Sequence, residues 1–173
     1  MISEFSINPK PQNDKAKHAV ALLGTLGALI FGVSMFIESY RGIVALAAMI
    51  FIVAALSIAV KYLLSEYSYE VTEAGGEWLF VVVQHSGKRY TTLCRIELAN
   101  VASIDKVNSK DAKKRETDFA YYAYIPTLMP DSYYVMKVVS RYEKSQIALE
   151  LTDEMAELLR TCAREARESC DDQ

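Results

Sequence analysis

Two apolar stretches, AVALLGTLGALIFGVSMFI at residues 19–37 and GIVALAAMIFIVAALSIAV at residues 42–60, decide the fold of this chain. Each stretch has 19 residues and contains no Asp, Glu, Lys or Arg. A helix of that length extends about 28 Å, close to the bilayer's hydrocarbon thickness of about 30 Å. The two stretches therefore predict a hairpin of two transmembrane helices.

Two other interpretations of these stretches are weaker. Helices buried in a soluble core usually carry a polar stripe where they meet solvent. Here the polar side chains are only Thr25, Ser34 and Ser57, and each can bond to a carbonyl of its own helix. A cleaved signal peptide would also follow basic residues, but its apolar region is about 7–15 residues long. A retained anchor is the better interpretation.

The basic residues around the two stretches predict their orientation. Lys10, Lys15 and Lys17 precede the first stretch, Lys61 follows the second, and the short connection contributes only Arg41. Because Lys and Arg favour the cytoplasmic side, this bias predicts a multi-pass protein of the cell membrane with both termini in the cytoplasm.

Small residues recur along the first predicted helix. Gly24, Ala28 and Gly32 are spaced four apart, so they lie on one face and form a seam that allows close helix packing. The seam could face the second helix of the hairpin or a second copy of the chain.

Composition and hydrophobic pattern divide the chain into three regions. Residues 1–18 mix prolines, asparagines and charges without an apolar period, which is typical of a flexible cytoplasmic tail. Residues 19–64 form the predicted transmembrane hairpin. Residues 65–173 carry most of the charges and predict a water-soluble domain.

The soluble region alternates short apolar and aromatic runs with turn residues, a pattern that predicts strands joined in consecutive hairpins. Seven strands are expected, at residues 67–72, 78–83, 89–98, 101–107, 119–125, 133–140 and 146–151.

A helix is predicted after the last strand. Thr152 or Asp153 can cap its N-terminus, and the helix runs to about Ser169. Three- and four-residue spacing gives it one apolar face that packs against the sheets. The residues of that face are Met155, Leu158, Leu159, Cys162 and Ala166.

The order of these elements resembles a known family. Tyr-Glu-Val-Thr at 69–72, Arg-Ile-Glu-Leu-Ala-Asn-Val-Ala-Ser-Ile at 95–104 and Leu-Glu-Leu-Thr at 149–152 are similar to the bacterial membrane-anchored branch of the pleckstrin-homology-like (PH-like) fold. The resemblance implies an α+β chain: a transmembrane hairpin, then a seven-stranded antiparallel barrel of two orthogonal sheets with a C-terminal capping helix.

A basic segment stands out in a chain of net charge −3. It contains five basic residues and one acidic residue, and the basic ones are Lys106, Lys110, Lys113, Lys114 and Arg115. If it lies near a membrane, each cation could contribute about 1 kcal/mol of attraction to anionic lipid headgroups. The other interpretation is a solvated loop that keeps the domain soluble.

An apolar pair lies between two prolines. Leu128 and Met129 fall between Pro126 and Pro130, in the connection that follows the fifth predicted strand. Such a tip could enter a membrane or hold a peptide partner.

The sequence offers no constellation for catalysis. It has no glycine-rich phosphate loop, no His-Glu-x-x-His, no nucleophile elbow and no charge inside either apolar stretch. Cys94, Cys162 and Cys170 lack metal-ligand spacing, so no metal or cofactor is expected. Opposite charges such as Glu157 and Arg160 are helix neighbours that support the last helix. With a sequence pI near 5.5, a nucleic-acid partner is also not expected.

Three hypotheses for function remain. The first is a non-enzymatic binding or scaffold module that the hairpin fixes at the cytoplasmic leaflet, with anionic lipid headgroups or a protein as partner. The second is an accessory subunit of a larger transporter or secretion complex, packed through its transmembrane helices. The third, an enzyme with an unfamiliar site, is the least favoured.

Overall fold

The computed structural model describes residues 4–9, 13–37, 40–109, 118–140 and 143–171, the last three by backbone only. The chain divides into two compact units. The helical unit comprises Pro11–Ser65, and the sheet unit comprises Met1–Lys10 together with Glu66–Gln173. Both ends of the helical unit therefore continue into the sheet unit.

The helical unit contains two long helices, α1 (Asp14–Ser34) and α2 (Arg41–Tyr62), of 21 and 22 residues. Both are long and apolar enough to cross a membrane. The hydroxyl of Ser57 donates to Val53 O at 2.8 Å and that of Ser34 donates to Phe31 O at 2.6 Å, so these side chains bond to their own helices as predicted. Thr25 does the same with Ala21 O.

Gly27 marks the contact between α1 and α2. It is buried, and a Cβ added to it would lie 2.9 Å from Ile52 Cγ1 and 3.3 Å from Ala48 O. A Cβ added to Gly24 or Gly32 would meet nothing within 4 Å. Of the two alternatives for the Gly24 seam, contact with α2 is not seen in this structure, where Gly27 makes that contact instead, and contact with a second copy stays a prediction.

Sheet A has four strands in the order β1-β2-β3-β4. They are β1 (Phe5–Ile7), β2 (Ser65–Ala74), β3 (Glu77–Ser86) and β4 (Arg89–Glu97). Gly75 and Gly76 join β2 to β3 with φ values of +67° and +86°, the left-handed geometry that a two-residue hairpin turn needs. A bulge interrupts the β3–β4 register between Val82 and Val83.

Strand β1 corrects the prediction of a flexible tail. Phe5 lies opposite Val71, and Ile7 lies opposite Tyr69, in an antiparallel pair with β2. Phe5 and Ile7 also pack against the core. The prediction failed because three residues are too few to show a period, and 57 residues separate Ile7 from the start of the partner strand.

Sheet B has the order β5-β7-β8-β6 and comprises β5 (Val101–Asn108), β6 (Ala120–Tyr124), β7 (Ser132–Val139) and β8 (Lys144–Leu149). Strand β6 pairs with β8 in parallel, which corrects the prediction of consecutive antiparallel hairpins. The seven predicted strands are present as β2–β8, with β1 as an eighth. The strand pairs of the described residues form two separate sheets, so the predicted closed barrel is not confirmed.

Helix α3 (Asp153–Asp171) follows β8 and packs on the core. Thr152 caps it, because the Met155 N–H donates to Thr152 Oγ1 at 3.3 Å. Its buried face consists of Met155, Ala156, Leu159, Cys162, Ala163 and Ala166. Leu158, predicted on this face, is 44% exposed because it falls one position beyond the buried stripe.

Candidate functional site

The connection from β6 to β7, residues 125–131, forms an apolar tip with a fixed base. Pro126 and Thr127 are buried at this base. The Thr127 hydroxyl donates to Glu150 Oε1 at 2.8 Å, and the Thr127 N–H donates to Glu150 Oε2 at 3.1 Å. A carboxylate that accepts two bonds from one residue fixes the base of the tip to the end of β8.

Met129 is the exposed part of the apolar tip. Its side chain is 76% exposed, and its φ of +54° is the only positive value among described residues other than glycine. A left-handed backbone is unfavourable for methionine, so the surrounding contacts must hold it. Leu128, the other predicted tip residue, is half-buried. The tip therefore presents one flexible, apolar side chain on a fixed support.

The apolar tip lies next to the end of β5. The Ser109 N–H donates to Asp131 O at 3.0 Å, and the Ser109 hydroxyl donates to Pro130 O. Asn108, the last residue of β5, lies opposite Ser132. Ser109, the residue before Lys110 of the basic segment, thus lies beside the apolar tip, a proximity that the sequence did not reveal. Four of the predicted lipid-binding cations lie outside the described residues, namely Lys110, Lys113, Lys114 and Arg115.

The fifth predicted cation, Lys106, contacts the start of α3. Its Nζ lies 2.6 Å from Asp153 Oδ1 and 5.8 Å from the centre of the Tyr134 ring. The Tyr134 hydroxyl donates to the same carboxylate oxygen at 2.5 Å. The Asp153 carboxylate raises the pKa of Lys106, and the bonds from Lys106 and Tyr134 lower the pKa of Asp153. A role for Lys106 in lipid binding stays a prediction.

Arg160 extends this contact along α3. Its Nε and Nη2 donate to Ile104 O at 3.0 Å and 2.6 Å, and its guanidinium lies 5.9 Å from the Tyr134 ring centre. It also pairs with Glu157, as the helix spacing predicted. Lys106, Tyr134, Asp153 and Arg160 together form a polar clamp that holds α3 to sheet B.

A cluster of two tyrosines and a thiol, in which Tyr69 is buried and Tyr124 and Cys94 are half-buried, was not predicted from the sequence. The Tyr69 hydroxyl donates to Tyr124 O at 2.7 Å and accepts the Glu150 N–H at 3.3 Å. Burial raises the pKa of Tyr69 far above its usual value. Burial also raises the pKa of the Cys94 thiol to about 11 and that of Tyr124 to about 12. These groups stay protonated at neutral pH, so Cys94 is a poor nucleophile.

Ser68 and His85 on sheet A have the distance of a nucleophile and its base, with 2.8 Å between Ser68 Oγ and His85 Nε2. However, Ser68 is only 1% exposed, and its hydroxyl donates to Glu70 Oε1 at 3.1 Å. A hydroxyl has one proton, so His85 is then the donor to Ser68 and not its base. The pair is a structural contact.

Within the part of the chain that the structure describes, no three of His, Cys, Asp or Glu come together in a way that could hold a metal ion. Chemically, the described surface offers an apolar contact at Met129 and polar contacts around Lys106.

Residues 6–166 match the family model of the bacterial PH-like domain (DUF6106). The match begins inside β1 and continues through α1 and α2 into α3, so the two apolar helices are part of the family pattern. No curated protein shows significant similarity to the chain.

Proposed function

The chain belongs to the bacterial PH-like domain family, and we propose that it is a non-enzymatic binding or scaffold module that its two helices anchor in the cell membrane. In this proposal the PH-like domain is held at the cytoplasmic leaflet. Tethering raises the local concentration of the domain toward partners at the membrane.

The observation that carries this proposal is the apolar surface of the helical unit. Large apolar side chains on both helices are more than half exposed, including Leu22, Leu29, Ile43, Leu46 and Ile50. A soluble monomer rarely exposes an apolar surface of this extent, whereas a lipid bilayer is a suitable solvent for it. The side-chain hydroxyls bond to the helices' own carbonyls, which membrane burial also requires.

The orientation of the anchor is proposed from charge. Lys10 before α1, Lys15 and Lys17 at the start of α1, and Lys61 at the end of α2 favour a cytoplasmic location for both ends of the hairpin. Membrane association is tested by washing isolated membranes at alkaline pH, which releases peripheral proteins. An anchored chain stays in the pellet, and release into the supernatant would refute the anchor.

The proposed binding surface is the apolar tip at Met129 together with the part of the basic segment that follows Ser109, which carries Lys110, Lys113, Lys114 and Arg115. The exposure of Met129 and the bonds from Ser109 to the tip support this assignment. Anionic lipid headgroups are the favoured partner, because cations near a membrane attract them. A protein partner is the other candidate.

The lipid assignment is tested with the full chain in nanodiscs of neutral lipid or of neutral and anionic lipid. A fluorescent probe at Met129→Cys reports its surroundings, in a background without the native cysteines. We expect a more apolar signal with anionic lipid, and its loss on Lys113→Glu with Lys114→Glu. Lys88→Glu in the β3–β4 turn, combined with Arg89→Glu at the first position of β4, is the matched control. A signal that is independent of lipid charge would refute the lipid role.

An accessory subunit of a larger membrane complex is the second candidate. The observation that favours it is that Gly24, Ala28 and Gly32 do not form the contact with α2, so this face of α1 remains for another helix. Gly24→Leu with Gly32→Leu should then break a complex isolated from native membranes. Gly42→Leu on α2, which also has space around it, is the control.

A further inference from the structure

Strand β1 precedes both apolar helices, and its partner β2 follows them. In the antiparallel register Ser6 lies directly opposite Glu70. The Glu4 carboxylate accepts a bond from the Thr72 hydroxyl at 3.2 Å, which extends the contact beyond the three paired residues. The sheet unit is therefore complete only when the segments before α1 and after α2 come together.

The number of membrane crossings decides whether this pairing can form. With two crossings, both ends of the hairpin return to the same side of the membrane, and β1 can reach β2. If only one of the two helices spanned the membrane, β1 and β2 would lie on opposite sides, separated by about 30 Å of hydrocarbon. This holds whether the inserted helix is α1 or α2. Unpaired backbone groups of a strand do not cross that layer, because nothing there satisfies their hydrogen bonds.

We propose that β1 is a clasp that completes the PH-like domain only in chains whose helical hairpin has crossed the membrane twice. This inference rests on the proposed membrane anchor. In a chain with one crossing, the edge of β2 at Tyr69–Val71 stays open, and Phe5 and Ile7 leave the core. An open strand edge of this kind is prone to proteolysis and aggregation. Chains with one crossing are therefore lost by degradation or aggregation. The clasp thus couples correct insertion to a finished binding domain.

The experiment uses the full chain in isolated membranes, with the three native cysteines replaced by alanine. Ser6→Cys with Glu70→Cys places two thiols at opposite positions of an antiparallel pair, where Cα atoms are about 5 Å apart and a disulfide can form. Ser6→Cys with Glu66→Cys is the matched control. Glu66 lies on the same strand and face, but about 13 Å further along. We expect mild oxidation to give at least tenfold more intrachain disulfide in the first pair.

A second variant changes the number of crossings. Leu22→Arg with Leu26→Arg introduces two charges on α1, each of which opposes insertion of that helix into the membrane. In the chains that resist an alkaline wash, we expect the 6–70 disulfide to fall at least tenfold and protease sensitivity of the domain to rise. An undiminished disulfide in those chains would refute the clasp.

Single cysteines provide an independent readout. Ser6→Cys and Glu66→Cys, each alone, are labelled with a maleimide that does not cross membranes. We expect both to react from the same side, and labelling from opposite sides would refute the clasp. Release of the unmodified chain by the alkaline wash would instead refute the membrane anchor. The two failures are therefore distinguishable.

Discussion

Lys106 Nζ lies 2.6 Å from Asp153 Oδ1, which connects the end of β5 to the first turn of α3. The same carboxylate accepts the Tyr134 hydroxyl, so one side chain joins two strands of sheet B to the C-terminal helix. Asp153 also lies where a negative charge favours a helix N-terminus. This carboxylate is therefore a sensitive point for the stability of the PH-like domain.

Acid should weaken this contact. In an unfolded chain the pKa of an aspartate is about 3.9. In the folded protein, Lys106 and Tyr134 hold the pKa of Asp153 below that value. A carboxylate with a lowered pKa stabilises the fold above its unfolded pKa, and the contribution is lost as the pH falls through the folded pKa. We expect Asp153→Asn to lower the denaturation midpoint at pH 7, and the gap to wild type to close below about pH 4.

The measurement is chemical denaturation of the detergent-solubilised chain between pH 3 and pH 7. Glu154→Gln is the control, because Glu154 occupies the same helix turn and is exposed. A gap for Asp153→Asn that stayed constant down to pH 3 would contradict the prediction.

Removal of the Tyr69 hydroxyl should destabilise the domain. Tyr69→Phe keeps the buried ring but leaves Tyr124 O and the Glu150 N–H without this partner. Loss of the partner of a buried polar group costs about 1–3 kcal/mol. Denaturation monitored by tryptophan fluorescence at Trp78 measures the change. Tyr90→Phe is the control, because Tyr90 is 72% exposed and loss of its hydroxyl should have little effect on stability. Equal losses of unfolding free energy in the two variants would argue against the buried hydrogen bonds of Tyr69.

Gly27 and Gly24 should respond differently to a larger side chain. Gly27→Leu forces atoms against Ile52 and the Ala48 carbonyl, and overpacking of this kind costs about 1–3 kcal/mol. Gly24→Leu has space around it within the chain. Unfolding of the helices in increasing SDS, followed by circular dichroism, compares the two variants. The reverse order of stability would contradict the contact at Gly27.

The Cys94 thiol should be slow to alkylate. Burial raises its pKa to about 11, so at pH 8 it has about a hundredfold less thiolate than a thiol whose pKa is 9. Mass spectrometry of the folded chain after timed iodoacetamide treatment gives the rate at this position. Thr91→Cys, at an exposed site on the same strand, should react at an ordinary rate. Similar rates at the two positions would refute the prediction.

The sequence predicted those elements whose pattern is local. The two helices and the seven strands β2–β8 followed from apolar runs, alternation and turn residues. The cap at Thr152 and the pair of Glu157 with Arg160 followed from spacing along one helix. Each of these features depends on residues that are near one another in the chain.

The missed features depend on contacts between distant segments. Strand β1 is too short to show a period. The sequences of β6 and β8 do not indicate that these two strands pair in parallel. Four-residue spacing identified a small-residue face on α1, but it could not tell which face meets α2. Ser109 and Pro130, whose hydrogen bond joins the end of β5 to the apolar tip, are 21 positions apart in the sequence. Side-chain chemistry alone does not encode such proximity.

Sheet A can also be described as a simple β-meander with one unusual turn. Two residues join β2 to β3 and two join β3 to β4, whereas residues 8–64 occupy the connection between β1 and β2. Because Ile7 lies opposite Tyr69, four residues after β2 begins at Ser65, a connection of about six residues that ends in a two-residue turn could take the place of the helical hairpin. A truncation that begins at Glu66 would lose the first strand of the meander. Internal excision of the helices, with the flanking strands rejoined, is therefore the rational route to a water-soluble form of this domain.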